Sequence, residues 1–315
     1  MLKVTVIGAG NVGATVAECV ARKDMVKEVV LIDIKEGLSE GKALDITESA
    51  PIHLFDTIVR GVTNDYDQTS NSDICVITSG VPRRPGMSRD DLLGINANIV
   101  RSVTEAFVER SPNAIIIVIS NPLDVMTYVA HEASGFASNR VFGMAGVLDT
   151  ARFRAFIAME LKASVKDINA LLMGGHGDTM VPLPRYTSVG GIPLTELLSA
   201  DRIHAIVERT KSGGGEIVQL MGTSAWYAPG AAASEMVEAI VKDSGRVLPC
   251  AVCPSGEYGL SDLFIGLPVR LGRQGIEEII TVDLTESEQA LLDVSASHIQ
   301  SNFEALRRVL NQSDA

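Results

Sequence analysis

Cysteine is scarce in this chain: four among 315 residues. Cys19 and Cys75 fall in apolar settings and read as small core hydrophobes. Cys250 and Cys253 have the spacing of a redox pair or half a zinc site. No second CxxC and no paired histidines accompany them, and the segment alternates like a strand, so no metal is expected. So sparse a cysteine pattern suits a reducing, cytoplasmic setting. Long apolar runs are missing too. The longest, over 114–119, is far too short to cross a bilayer and reads as a buried parallel strand. A strand pattern begins at residue 2, so no secretory leader is expected. Basic residues are outnumbered, 27 Lys and Arg against 39 Asp and Glu, for a formal net charge of −12. That balance argues against nucleic acid and anionic membranes as partners. Lysine is the scarcer of the two cations, and an acidic, lysine-poor surface suits high salt, where self-repulsion is screened. There are no low-complexity tracts and no 20–50-residue repeats. The only flexible-looking patch is Ser212-Gly213-Gly214-Gly215, too short for a domain linker.

What is present begins with an organised first unit. The β-branched run Lys3-Val4-Thr5-Val6-Ile7 stops at Gly8-Ala9-Gly10-Asn11-Val12-Gly13. A helical pattern follows over 12–21, then an apolar run over 29–32 that ends on Asp33. Strand, glycine loop, helix, strand and acid in about thirty residues is the order of a dinucleotide-binding unit. Gly8 permits the tight turn, Gly10 lets a pyrophosphate approach the backbone, and Gly13 lets the helix pack closely. The helix N-terminus offers unpaired N–H groups and a partial positive charge. Asp33 can accept hydrogen bonds from both ribose hydroxyls and would repel a 2′-phosphate, which favours NAD over NADP. The glycines alone would fit an empty βα turn; the flanking elements and the acid favour the cofactor.

With 46% hydrophobic residues the chain has ample core material. Its length suggests two domains. Strands are predicted over 57–62, 73–78, 114–119 and 140–143. Helices are predicted over 38–49, over 90–110 with Asp90 as N-cap, and over 123–133. This alternation makes residues 1–145 an α/β, doubly wound parallel sheet. It then loosens. Helices are expected over 149–161, 201–211, 224–242 and 286–310, and strands over 168–173, 246–252, 263–269 and 276–282. Residues 146–315 therefore read as a mixed α+β domain.

Candidate chemistry gathers at strand ends. The segment 79–89, past the strand over 73–78, holds two prolines, two glycines and three arginines. A solvated basic loop would look the same, but Arg83 and Arg89 at a cofactor edge would suit an anionic substrate, since guanidinium grips carboxylates in bidentate fashion. Asn121 follows the strand over 114–119, and Pro122 keeps it out of helical geometry. His176, one of five histidines, lies in Gly174-Gly175-His176-Gly177-Asp178, where glycine neighbours give it little to pack against. Asp149 and Arg152, three apart at a helix start, share a face. They read either as a surface pair or as an acid that orients a histidine beside a guanidinium that holds a carboxylate.

The glycine loop with Asp33, the loop over 80–89, Val118-Ile119-Ser120-Asn121-Pro122, Leu148-Asp149-Thr150-Ala151-Arg152 and the His176 turn together resemble the malate dehydrogenases, in the group similar to lactate dehydrogenase. The resemblance runs over essentially the whole length. It implies a Rossmann NAD-binding domain, a catalytic second domain, and a tricarboxylic acid cycle reaction between (S)-malate and oxaloacetate. It implies His176 as acid–base residue, Asp149 as its partner, Arg152 on the carboxylate beside the reacting carbon, and Arg89 on the carbonyl oxygen. Asn121 would lie near substrate and nicotinamide ribose. Gly8, Ala9, Gly10, Asn11, Val12, Gly13, Asp33, Asn96, Ile119 and Ser120 would complete the cofactor contacts. Arg83 would meet the far carboxylate of oxaloacetate, where lactate members carry a neutral residue, and the loop over 82–87 would close as a lid. Thr223 and Ser224 are placed near the substrate at a helix start. Relatives form dimers or tetramers, so a homo-oligomer is expected. A lactate or other 2-hydroxy-acid dehydrogenase is disfavoured by Arg83. A non-catalytic NAD-binding regulator would leave His176, Asp149 and the arginines without purpose.

Overall fold

The computed structural model describes residues 2–81 and 89–313. Arg83 and the proposed lid lie outside them. The first half alternates: β1 (Lys3–Ile7), α1 (Asn11–Arg22), β2 (Glu28–Asp33), α2 (Leu38–His53), β3 (Ile58–Thr63), β4 (Ile74–Ile77), α3 (Arg89–Val108), β5 (Ile115–Val118), α4 (Leu123–Ser134) and β6 (Val141–Gly143). β4 and β5 are buried along their whole length, which is why both read as unbroken apolar runs. All six strands are parallel, in the order β3-β2-β1-β4-β5-β6. The order reverses between β1 and β4, which opens a crevice at the carboxyl ends. Ile7 pairs with Ile32 and Ile77, and Ile77 with Val118. The residues after β1, β4 and β5 therefore emerge along one edge.

The second half holds α5 (Ala145–Leu161), β7 (Ile168–Asn169), β8 (Leu172–Met173), β9 (Val181–Pro182), β10 (Ser188–Val189), β11 (Ile192–Pro193), α6 (Leu194–Leu197), α7 (Ala200–Met221), α8 (Tyr227–Val241), β12 (Arg246–Val252), β13 (Ile265–Gly272), β14 (Gly275–Ile279) and α9 (Glu286–Ser313). β12 joins β6 through Ala251 and Gly143, and β13 and β14 follow it, all antiparallel. One nine-stranded sheet thus runs through both halves among the described residues.

A large core lines this sheet. A second cluster, including Phe153, Ile157, Ile168, Leu172, Leu194 and Ile203, fills the space beside it. Full burial of such side chains is worth about 1.5–3 kcal/mol each. α5 belongs to both: Val147 and Leu148 enter the first core, Phe153 and Ile157 the second. That makes α5 a fixed beam for whatever side chains it carries.

Several local expectations need correction. Ser212-Gly213-Gly214-Gly215 is not a flexible patch but the interior of α7. The run over 168–173 splits in two because β7 pairs with β10 whereas β8 pairs with β9. α3 begins at Arg89, so Asp90 stands within its first turn and not at the cap. α8 begins at Tyr227, which leaves Thr223 and Ser224 as exposed residues of the connection before it. Cys250 is buried in β12 and Cys253 lies just past its end, both as free thiols. Among the described residues no cluster of three or more His, Cys, Asp or Glu could hold a metal. No helix there is long and apolar enough to cross a membrane.

Candidate active site

The glycine loop leaves β1 through Gly8, whose φ of +100° is a left-handed conformation that side chains resist. α1 then packs back on the loop. A Cβ at Gly13 would stand 1.8 Å from the Gly8 carbonyl oxygen, so only glycine fits there. Gly10 has open space where a side chain would be. It serves as N-cap of α1 without any side-chain hydrogen bond, which leaves the first-turn N–H groups of Asn11, Val12 and Gly13 free of side-chain caps. Ala9 is fully buried, and its N–H donates to Asp33 Oδ2 at 2.6 Å. Asp33 Oδ1 accepts from the Lys35 N–H at 2.9 Å. The acid at the end of β2 is thereby tied to the loop, and each oxygen keeps a lone pair for a ligand hydroxyl. An open backbone cradle, an uncapped helix N-terminus and an anchored carboxylate fit a dinucleotide.

Asn96 joins the next two strand ends. It is 3% exposed. Its Oδ1 accepts from the Val81 N–H at 2.8 Å, and its Nδ2 donates to the carbonyls of Val81 at 3.3 Å and Asn121 at 2.8 Å. Both amide hydrogens are committed to the main chain, so Asn96 is a strut between the segments after β4 and β5. Ser120 makes a second strut: its hydroxyl donates to the Ser79 carbonyl at 2.5 Å. Ile119 and Ser120 are buried, whereas Asn121 is exposed at the sheet edge. Arg89 is the first residue of α3, and its side chain lies outside the described part.

The charged centre is built by α4, α5 and the turn after β8. His176 Nδ1 lies 2.9 Å from Asp149 Oδ2. A carboxylate only accepts, so Nδ1 carries the proton and Nε2 has no partner among the described residues. Arg152 Nη1 donates to the other oxygen of Asp149 at 3.3 Å. Asp149 is almost wholly buried, with 3% of its side chain exposed, while His176 and Arg152 keep 16% and 14%. Arg152 Nε is buried without a hydrogen-bond partner, an unspent donor of the kind an anionic ligand satisfies. Burial pulls the His176 imidazole down, but the Asp149 and Asp124 carboxylates outweigh it, and the pKa ends above its ordinary value. The two carboxylates therefore favour the charged form of the ring.

Sequence reasoning brings His176, Asp149 and Arg152 together, and the structure places them in contact. It misses two residues. Asp124, in the first turn of α4 and 8% exposed, accepts the His176 N–H on Oδ2 at 3.0 Å. It also links the charged centre to the end of β5, three residues past Asn121. The signal was an acid followed by the apolar run Val125-Met126, where burial is costly unless used. Gly213 of α7 is the other. A Cβ there would come within 3.3 Å of Arg152 Cδ, and one at Gly214 within 3.8 Å of Arg152 Nη2. Gly213 and Gly214, readable as softness, form the groove in α7 that receives the guanidinium, while Gly215 faces open space.

Residues 2–143 match the family model described as lactate/malate dehydrogenase, NAD binding domain, and residues 146–309 the one described as lactate/malate dehydrogenase, alpha/beta C-terminal domain. The chain is similar to a malate dehydrogenase of Salinibacter ruber, 68% identical over 311 residues and 99% of each chain. It is also similar to one of Cytophaga hutchinsonii, 61% identical over 97% of this chain and 98% of that one. The solved structure of malate dehydrogenase from Salinibacter ruber superposes with a TM-score of 0.96 at 66% identity, covering 99% of this chain and 100% of that one. The nucleotide cradle, the Asp149–His176 pair and matches that run through both halves lead to one conclusion: the chain belongs to the lactate/malate dehydrogenase family.

Proposed function

We propose that the chain is an NAD-dependent malate dehydrogenase that interconverts (S)-malate and oxaloacetate; its relatives carry the name malate dehydrogenase. The observation that carries the mechanism is the 2.9 Å contact between His176 Nδ1 and a buried Asp149 that also holds Arg152. Asp149 fixes the tautomer and orientation of the ring, which leaves Nε2 as the proton-transfer atom. In reduction, the imidazolium gives the Nε2 proton to the carbonyl oxygen of oxaloacetate. In oxidation, neutral Nε2 takes the hydroxyl proton of malate. A pKa held above the ordinary value suits the first role without abolishing the second. The glycine loop and Asp33 would hold the cofactor, which as NADH would supply the hydride in reduction and as NAD+ would receive it in oxidation. Arg152 grips the carboxylate beside the reacting carbon through its guanidinium. Asn96 holds Asn121 where substrate and cofactor meet.

Arg89 supports the carbonyl oxygen, and Arg83 meets the far carboxylate. A closed site with pyruvate would leave the Arg83 charge unpaired. The test follows NADH absorbance with oxaloacetate and, separately, pyruvate. Rapid loss with oxaloacetate and a kcat/KM lower by several orders of magnitude with pyruvate is expected; polar mismatches of this kind reach roughly 10⁴–10⁵. Comparable rates would make it a lactate-type enzyme, and no loss with oxaloacetate a non-catalytic NAD-binding regulator. The setting is cytoplasmic, and the −12 charge disfavours nucleic acid and anionic membrane partners. A homo-oligomer is supported by large apolar side chains left exposed on α2 (Leu44 and Ile52) with Leu54 beyond it, and at the end of α7 (Leu220 and Met221).

A further inference from the structure

A cavity of about 430 Å³ opens beside the first half of α7. None of His176, Asp149 and Arg152 lines it. Its floor is the second core: Met180 and Ile203 belong to that cluster, and Leu198 and Val207 pack against it. Small-molecule sites have volumes of roughly 300–1,000 Å³, mostly apolar walls and a few polar groups that fix orientation. Here α7 supplies those groups. Ile203, His204, Val207 and Lys211 all line the cavity, and their spacings of three and four put them on one face of the helix. Among the described residues no carboxylate lines it. Lys211 gives one hydrogen bond to Glu208 Oε1 at 3.0 Å, which leaves two of its three donors for a ligand.

We propose that this cavity binds a medium-chain aliphatic monocarboxylate, with its carboxylate on Lys211 and its chain along Val207, Ile203 and Leu198. The charge is set by Lys211, the one side chain of fixed charge in the lining. The length is set by the helix: Lys211 and His204 are two turns apart, about 10.5 Å, the reach of an extended chain of about eight carbons. A second carboxylate would lie against Ile203 and Leu198 with nothing to pair it, so a dicarboxylate is excluded. The site therefore takes a different class of anion from the substrate site, and it stands independently of the malate reading.

The probe is octanoate, with 1-octanol as its uncharged counterpart and succinate as the dicarboxylate. The full chain is labelled with 13C-methyl methionine, and the Met180 resonance is assigned with Met180→Leu. Octanoate should move that resonance saturably with a Kd of about 0.1–1 mM. 1-Octanol should bind about 10-fold more weakly, and succinate should leave the resonance unmoved. Lys211→Gln should erase the preference for octanoate over 1-octanol. Val207→Phe, which fills the cavity, should abolish the shift while NADH affinity stays as in the wild type. An unmoved wild-type resonance overturns the proposal; if Val207→Phe also changes the oligomeric state in sedimentation, the face is an interface between copies of the chain. A preference that survives Lys211→Gln overturns it as well, even if Val207→Phe fails to fold. Displacement of octanoate by oxaloacetate would place the anion at the substrate site and likewise overturn it.

Discussion

Replacing Gly213 with alanine should make the protein more stable and a worse catalyst. The position is buried in the interior of α7, and Gly→Ala in a helix interior gains about 0.5–1 kcal/mol from backbone entropy and propensity. The new Cβ would stand 3.3 Å from Arg152 Cδ and 3.8 Å or more from other side chains, so Arg152 must give by a few tenths of an ångström. Its bond to Asp149 is already long at 3.3 Å, near the limit for N–H···O geometry, and that bond is what yields. A clamp misplaced by about 1 Å costs on the order of 10²-fold. The smaller shift here should lower kcat/KM for oxaloacetate about 10-fold, or about 1.4 kcal/mol, chiefly through KM. Thermal unfolding and steady-state NADH oxidation on one preparation test both signs. A raised or unchanged midpoint with wild-type kcat/KM would refute the claim that α7 positions Arg152. A lowered midpoint with wild-type kcat/KM would show that the helix, not the guanidinium, absorbs the methyl.

Two further substitutions test the ends of the site. Arg83→Gln should shift the ratio of kcat/KM values toward pyruvate by at least about 10²-fold, and an unchanged ratio would remove Arg83 from the substrate's far carboxylate. Asp33→Ser removes the charge facing a 2′-phosphate and one acceptor of the Ala9 and Lys35 N–H groups. It should weaken NADH use about 10-fold and improve the NADPH to NADH ratio by about 10–100-fold; a constant ratio would show that Asp33 does not select the cofactor.

What could be read before the structure was local. The unit from Lys3 to Asp33 is legible because the turn, the helix and the acid follow one another within a single βαβ segment, and Asp149 with Arg152 because three residues along a helix share a face. The joining of the sheet is not legible, since the antiparallel contact of Ala251 with Gly143 connects strands more than a hundred residues apart, and alternation names no partner. Residues 212–215 mislead for a related reason. Local propensity reads glycines as soft, whereas Ile203, Ile206 and Thr210 bury one face of α7 and hold it straight past them. Asp124 hides because an acid in a helix's first turn ordinarily serves the dipole from the surface; only the packing of the His176 turn reveals its burial.

The central claim is that His176 transfers the proton while the glycine loop holds the cofactor. His176→Asn addresses both in one protein. NADH affinity, read from nicotinamide fluorescence, should stay within about two-fold of wild type, because Gly8 to Asp33 are untouched. The kcat for oxaloacetate reduction should fall by about 10²–10⁴-fold. A variant that binds NADH normally and turns over at near wild-type rates would contradict the account.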